Sequence, residues 1–132
     1  MTETQLLAEI RLALGRDPRV VLWRNNVGTA RHDGTDRPVQ YGLCVGSSDL
    51  IGIVTMATDS MGRFFALEVK LPTGRVSREQ QLFLALVNRR GGYACIVRSV
   101  DDARAAVDAA HRGDRGPGDD RADARERTGR RP

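Results

Sequence analysis

At 132 residues, 40% of them apolar and 5% aromatic, the chain has material for one small hydrophobic core. It holds no run of about 18 apolar residues, which excludes a membrane-spanning helix, and its start, Met1-Thr-Glu-Thr-Gln-Leu-Leu-Ala-Glu, lacks the basic flank and apolar stretch of a secretory signal, so a cytoplasmic protein is expected. The 21 basic and 17 acidic residues leave +4, a weak lean toward a polyanionic partner, and the two cysteines, Cys44 and Cys95, do not make a disulfide framework or a zinc site of the usual spacing.

Leu6, Ile10, Ala13 and Leu14 recur at helical spacing and Gly15 and Pro18 close the pattern, so residues 4–14 are predicted to form an amphipathic helix. Val20-Val-Leu-Trp-Arg24 reads as a strand, residues 28–38 as a polar loop and residues 39–45 as a short edge strand. Residues 49–56 and 63–70 are two further strands, and the short, turn-rich link between them predicts an antiparallel hairpin. Ser77 is placed to cap a helix that runs to about Arg90, where Gly91-Gly92 ends it. Residues 93–98 form a strand, and Ser99-Val-Asp-Asp102 opens a last helix with a capping-box pattern. Cys44 and Cys95 read as small strand-core residues. Residues 112–132 carry no large apolar side chain to offset the entropy of ordering, so a disordered tail is expected there, with residues 1–111 as the domain.

The strand ending at Lys70 alternates Phe65, Leu67, Val69 and Leu71 on one side with Phe64, Ala66, Glu68 and Lys70 on the other. Two charges therefore sit at the end of a strand apolar on both faces, where acids and lysines are rarely buried unless paired or used. Lys70 is also the only lysine among the 21 basic residues, at a place where a compact ammonium differs from a planar guanidinium. A turn centred between Asp59 and Ser60 sets Asp49 opposite Lys70, with Asp49 and Glu68 as diagonal neighbours about 7–8 Å apart. Two converging carboxylates suit a divalent cation, since Mg²⁺ takes one or two carboxylates plus water and substrate phosphate. The same residues also fit an ordinary cross-strand ion pair, and geometry alone leaves both open.

Gly46-Ser-Ser-Asp49, then Glu68-Val-Lys70, then Ser77-Arg-Glu-Gln80-Gln-Leu-Phe83, then Gly91-Gly92 and Ala94-Cys-Ile-Val-Arg-Ser99, in that order, resemble the PD-(D/E)XK nuclease superfamily. More narrowly they are similar to its virus-type replication-repair nuclease (VRR-NUC) domain, from the first helix to Ser99; Ser48 stands where the superfamily name has proline. The resemblance implies an α/β, restriction-endonuclease-like core, a mixed central sheet with a catalytic β-hairpin and flanking helices. It implies that Asp49 and Glu68 bind Mg²⁺ or Mn²⁺ with the Val69 carbonyl, that Lys70 acts on the attacking water or the developing charge, and that Glu9 is a helical acid joining the metal.

Gln80 fits two roles, since Ser77-x-x-Gln80 is a capping box and Gln80 also shares the inward helix face with Phe83, Leu84 and Val87. Arg24 and Asn25 resemble an Arg-Asn segment of the family and either contact phosphates or brace a loop, while Arg75 and Arg78 are placed to position a nucleic-acid backbone. The implied function is a metal-dependent DNA endonuclease, selective for branched DNA such as four-way junctions, acting as a homodimer and of bacterial or phage source. Two alternatives stand beside it: a restriction-type or single-strand nuclease on the same fold, and a non-catalytic nucleic-acid-binding module.

Overall fold

The computed structural model describes residues 1–31, 34 and 36–118. Its elements run α1 (Glu3–Leu14), β1 (Val20–Arg24), β2 (Gly28–Arg31), β3 (Pro38–Tyr41), β4 (Leu50–Thr55), β5 (Gly62–Val69), α2 (Arg78–Arg89), β6 (Tyr93–Val97) and α3 (Val100–Arg112). Four strands form a mixed sheet in the order β1-β4-β5-β6, antiparallel except for the β5–β6 pair, and β2 and β3 form a separate antiparallel ribbon. The parallel pair is the one joined through α2, as a crossover connection requires. No helix among the described residues is long and apolar enough to cross a membrane.

The two sides of β5 divide the labour of the fold. Phe65, Leu67 and Val69, all buried, pack with Leu50, Val54 and Val97 of the sheet against Leu6, Ile10 and Leu14 of α1 and Ala103, Val107 and Ala110 of α3. On the opposite side Ala66 packs with Ala94 against Leu84 and Val87 of α2. The small residues of this second layer let α2 lie close to the sheet, and it is the layer on which Glu68 falls.

Local signals set the helix ends. Thr2 and Ser77 each accept from the third helical N–H while Gln5 and Gln80 return the bond to the cap N–H, so α1 and α2 both begin with complete capping boxes. In α3 the expected box is only half made: Ser99 accepts from Asp102 N–H, but the Asp102 carboxylate accepts from Arg98 N–H instead.

The polar loop expected over residues 28–38 is replaced in part by structure, because Gly28–Arg31 pairs with Pro38–Tyr41; the third strand is accordingly shorter than the expected 39–45 and starts one residue earlier. Cys44 is exposed rather than core. The hairpin register also differs from the symmetric expectation. Ser60 adopts a left-handed φ of 59°, its N–H donates to Met56 O, and Asp59 accepts from Met61 N–H, which centres the turn one residue earlier than expected. The pairing that results is Thr55 with Gly62 through Leu50 with Leu67.

The boundary expected at 111/112 also moves. Arg112 belongs to α3, Gly113 closes it with φ 91°, and Gly116 is buried so tightly that an added Cβ would overlap the Asn88 side-chain amide. Asn88, itself buried, spans Ala94 N–H, Ala94 C=O and Pro117 C=O, so hydrogen bonds rather than apolar burial fasten residues 113–118 beside β6. The rest of the expected tail, residues 119–132, lies outside the described residues. A chain ending at His111 is expected to be less stable than one ending at Gly118 by about 1–2 kcal/mol, seen as a fall of several degrees in Tm by circular dichroism; equal melting would show the 113–118 contacts to be dispensable.

Candidate active site

Continuing the observed register past Leu50–Leu67 sets Asp49 directly opposite Glu68, not opposite Lys70. The earlier turn thus brings the two carboxylates closer than the symmetric hairpin would. Val69 N–H donates to Asp49 Oδ2 at 2.8 Å, so the carboxylate takes the place of a ladder acceptor where β4 has ended. In an antiparallel pair a residue's N–H and C=O point the same way, so the Val69 carbonyl faces the β4 side as well.

Glu68 is 2% exposed. Its Oε1 accepts from Gln80 Nε2 at 2.8 Å and lies 3.8 Å from the Lys70 ammonium. Its Oε2 is buried with no hydrogen-bond partner. Burial, then the adjacent Asp49 charge, push the Glu68 carboxyl up to about 8, against the opposing pull of Lys70. A buried oxygen without a partner beside a second carboxylate is costly as it stands. It is also the donor set that a hard divalent cation takes, since two carboxylates and a carbonyl leave room for water and phosphate oxygens.

Gln80 answers the two roles open from sequence by filling both. Its Oε1 accepts from Ser77 N–H at 2.9 Å while its Nε2 donates to Glu68. An amide can do this because it carries an acceptor at one corner and donors at the other.

The loop leading to Asp49 is anchored through Asn25. Asn25 Nδ2 donates to Ser47 Oγ at 2.7 Å and Ser48 O at 2.9 Å, its Oδ1 accepts from Leu43 N–H, and its main-chain N–H donates to Asp49 O. Gly46 lies against α2 with φ 83°, where a Cβ would meet Glu79 at 2.6–2.7 Å. This loop is therefore tied to β1 on one side and to the start of α2 on the other.

The VRR-NUC domain family model matches residues 2–101, from the cap of α1 to the first turn of α3. The chain belongs to the VRR-NUC domain family, a nuclease-type family. No curated protein matches it. The match stops short of most of α3, whose Ala103, Val107 and Ala110 nonetheless complete the main core.

Of the residues singled out from sequence, Asp49, Glu68, the Val69 main chain, Lys70 and Gln80 come together at the end of this VRR-NUC hairpin. Glu9 does not join them. It is exposed, and no group of three or more metal-ligating side chains exists among the described residues. The α1 acid that is felt at Glu68 is Glu3, whose Oε1 reaches Gly74 on the loop after Lys70. Helical spacing carried that signal, because Glu3 lies three, four and seven residues before the buried Leu6, Leu7 and Ile10, whereas Glu9 is turned away from that stripe. Of the two roles open to Asn25, the structure shows the bracing one, with both ends of its amide bonded within the loop. Arg24, Arg75 and Arg78 are exposed. Arg98 was not singled out, yet its Nη1 donates to Leu71 O, Pro72 O and Gly74 O and so holds the loop that follows Lys70.

Because the folded chain holds the Glu68 proton more tightly than the unfolded chain does, it loses stability as pH rises from about 4.5 to about 8 in the absence of divalent ions. Urea denaturation across that window is expected to show the decline, and Glu68→Gln, which cannot ionise, to flatten it. An unchanged slope in Glu68→Gln would assign the pH dependence to another group.

Proposed function

We propose that this VRR-NUC domain is a Mg²⁺- or Mn²⁺-dependent DNA endonuclease that hydrolyses phosphodiester bonds, selective for branched DNA. The observation that carries the reading is the pairing of Asp49 with a buried Glu68 whose Oε2 has no partner, flanked by the chain's only lysine. Asp49, Glu68 and the Val69 carbonyl are the groups that would hold the cation. When bound, it supplies Lewis acidity, neutralising charge on the scissile phosphate and making water easier to deprotonate.

The chain's own residues do the rest. Gln80 fixes the Glu68 carboxylate in one orientation, so its free oxygen stays aimed at the site without reorganisation. Lys70, 13% exposed and tethered beside Glu68, places a positive charge where negative charge develops as the water oxygen bonds to phosphorus and the bond to the leaving oxygen breaks. Asn25 holds the Asp49 loop through Ser47 and Ser48, which keeps the two carboxylates in register. Arg75, exposed on the loop before α2, and Arg78, exposed at its first residue, are placed to meet the phosphates on either side of the cut. The described fold offers shape and charge rather than a recognition helix docked in a groove, which favours selection by DNA structure over sequence.

The test is cleavage of end-labelled four-way junction, flap, single-stranded and blunt duplex DNA in Mg²⁺ and in Mn²⁺. Wild type is expected to cut branched substrates fastest, with cutting lost in EDTA and in Asp49→Ala. Lys70→Ala is expected to lower kcat by about 100-fold or more while leaving folding and DNA binding intact, because it removes transition-state charge and little packing. Cutting by Lys70→Ala near the wild-type rate would remove Lys70 from the mechanism. No cutting of any DNA by wild type, with binding retained in EDTA, would overturn the nuclease reading in favour of a binding module.

A further inference from the structure

Among the described residues, the α2 side of the sheet is only half covered. Helix α2 packs over β5 and β6, through Ala66 and Ala94, and leaves the β1 side of this face open. Leu22 points into the main core, so its neighbours Val21 and Trp23 point to the other face, where they are 53% and 52% exposed. Ile53 and Phe64, cross-strand partners, continue the same open surface at 45% and 41%.

Trp23 stands apart within this surface because of its place. It pairs with Ile51, and Asp49 lies two residues before Ile51 on the same face of β4. Trp23 and Asp49 are therefore diagonal neighbours, about 7–8 Å apart along the sheet. A phosphate held at the Asp49–Glu68 pair brings the base of its own or the adjoining nucleotide within reach of the indole. The open face contributed by Val21, Trp23, Ile53 and Phe64 carries no acid to repel a strand. A protein partner seated on Trp23 would stand in the way of that phosphate, whereas a base stacked on it extends the same ligand.

We propose that Trp23 is a stacking platform for an unpaired nucleobase next to the cleaved phosphate. The proposal rests on the nuclease reading and deepens it by naming the substrate class: a strand with at least one base free of its own stack, as in a single strand, a flap or the crossing point of a branch. A base inside a continuous duplex cannot present its face to a side chain, while an unpaired one stacks on indole with little regard to sequence. Trp23 thereby selects for interrupted duplex at the position where cutting occurs.

Trp23 is the only tryptophan in the chain, so its emission reports the platform without a label. Full-length protein in EDTA is titrated with a single-stranded oligonucleotide and with a blunt hairpin duplex of the same sequence, binding being followed in parallel by anisotropy of end-labelled copies. The single strand is expected to quench Trp23 strongly and the duplex far less at equal saturation. Trp23→Ala is expected to weaken single-strand binding about tenfold with duplex binding unchanged, and Trp23→Phe to restore it to within about threefold. Bound single strand that leaves the emission unchanged, equal quenching by duplex, failure to bind single strand at all, or Trp23→Ala binding as wild type would each overturn the proposal. So would concentration-dependent self-association that Trp23→Ala abolishes while DNA leaves the emission unmoved, which would give this face to a second copy of the chain. Should Trp23→Ala fail to fold, the emission of wild type and the binding of Trp23→Phe still decide. Selective quenching without cutting in Mn²⁺ would uphold the platform and defeat only the nuclease reading.

Discussion

A carboxylate removed from water governs this molecule. Glu68 is held in a layer of small apolar residues where an isolated charge would be driven to take up a proton, and the surroundings compensate one of its oxygens only. Gln80 and Lys70 both attend to Oε1, and the remaining oxygen is left against Asp49. A fold optimised for stability alone would fill that corner with a hydrophobic side chain, since replacing buried charges by packed apolar groups is often neutral or favourable. The corner instead stores a local cost that a divalent cation and a phosphate would relieve, which couples the state of the site to the stability of the sheet.

The rest of the architecture makes that cost bearable. One face of β5 is given wholly to burial: Phe65, Leu67 and Val69 seal against α1 and α3, and this layer carries most of the large apolar side chains. The other face is thin, built from alanines under α2, so α2 comes close enough for Gln80 to reach Glu68. Stability and chemistry thus occupy opposite sides of one strand, and the period of two that separates them is a property of any extended chain.

Three polar clamps then hold the loops that no apolar core fixes. Asn25 ties the segment before Asp49 to β1, Arg98 gathers the carbonyls of the loop after Lys70, and Asn88 binds residues 113–118 to β6. Each is a side chain with several hydrogen-bonding groups in fixed geometry, spent on main-chain or hydroxyl partners in other segments of the chain. Loops held in this way sit at defined positions on a rigid scaffold, which is what a preorganised site demands of its supports.

Much of this was written in the sequence. The helices, their caps at Ser77 and Ser99, the two faces of β5 and the order Asp49, Glu68, Lys70, Gln80 follow from periodicity, capping chemistry and the family resemblance, all of which act over a few residues or along a fixed order. Even Glu3 was legible, lying on the stripe of Leu6, Leu7 and Ile10 where Glu9 does not. What only the tertiary structure decided are relations between distant segments: the register that sets Asp49 opposite Glu68, the anchoring of the loop before Asp49 by Asn25, the pairing of Gly28–Arg31 with Pro38–Tyr41, and the fastening of residues 113–118 by Asn88. Local sequence fixes what each segment is, because its causes are short-range. A turn shifted by one residue, or a polar side chain offered several partners of similar worth, is settled by the whole packed chain.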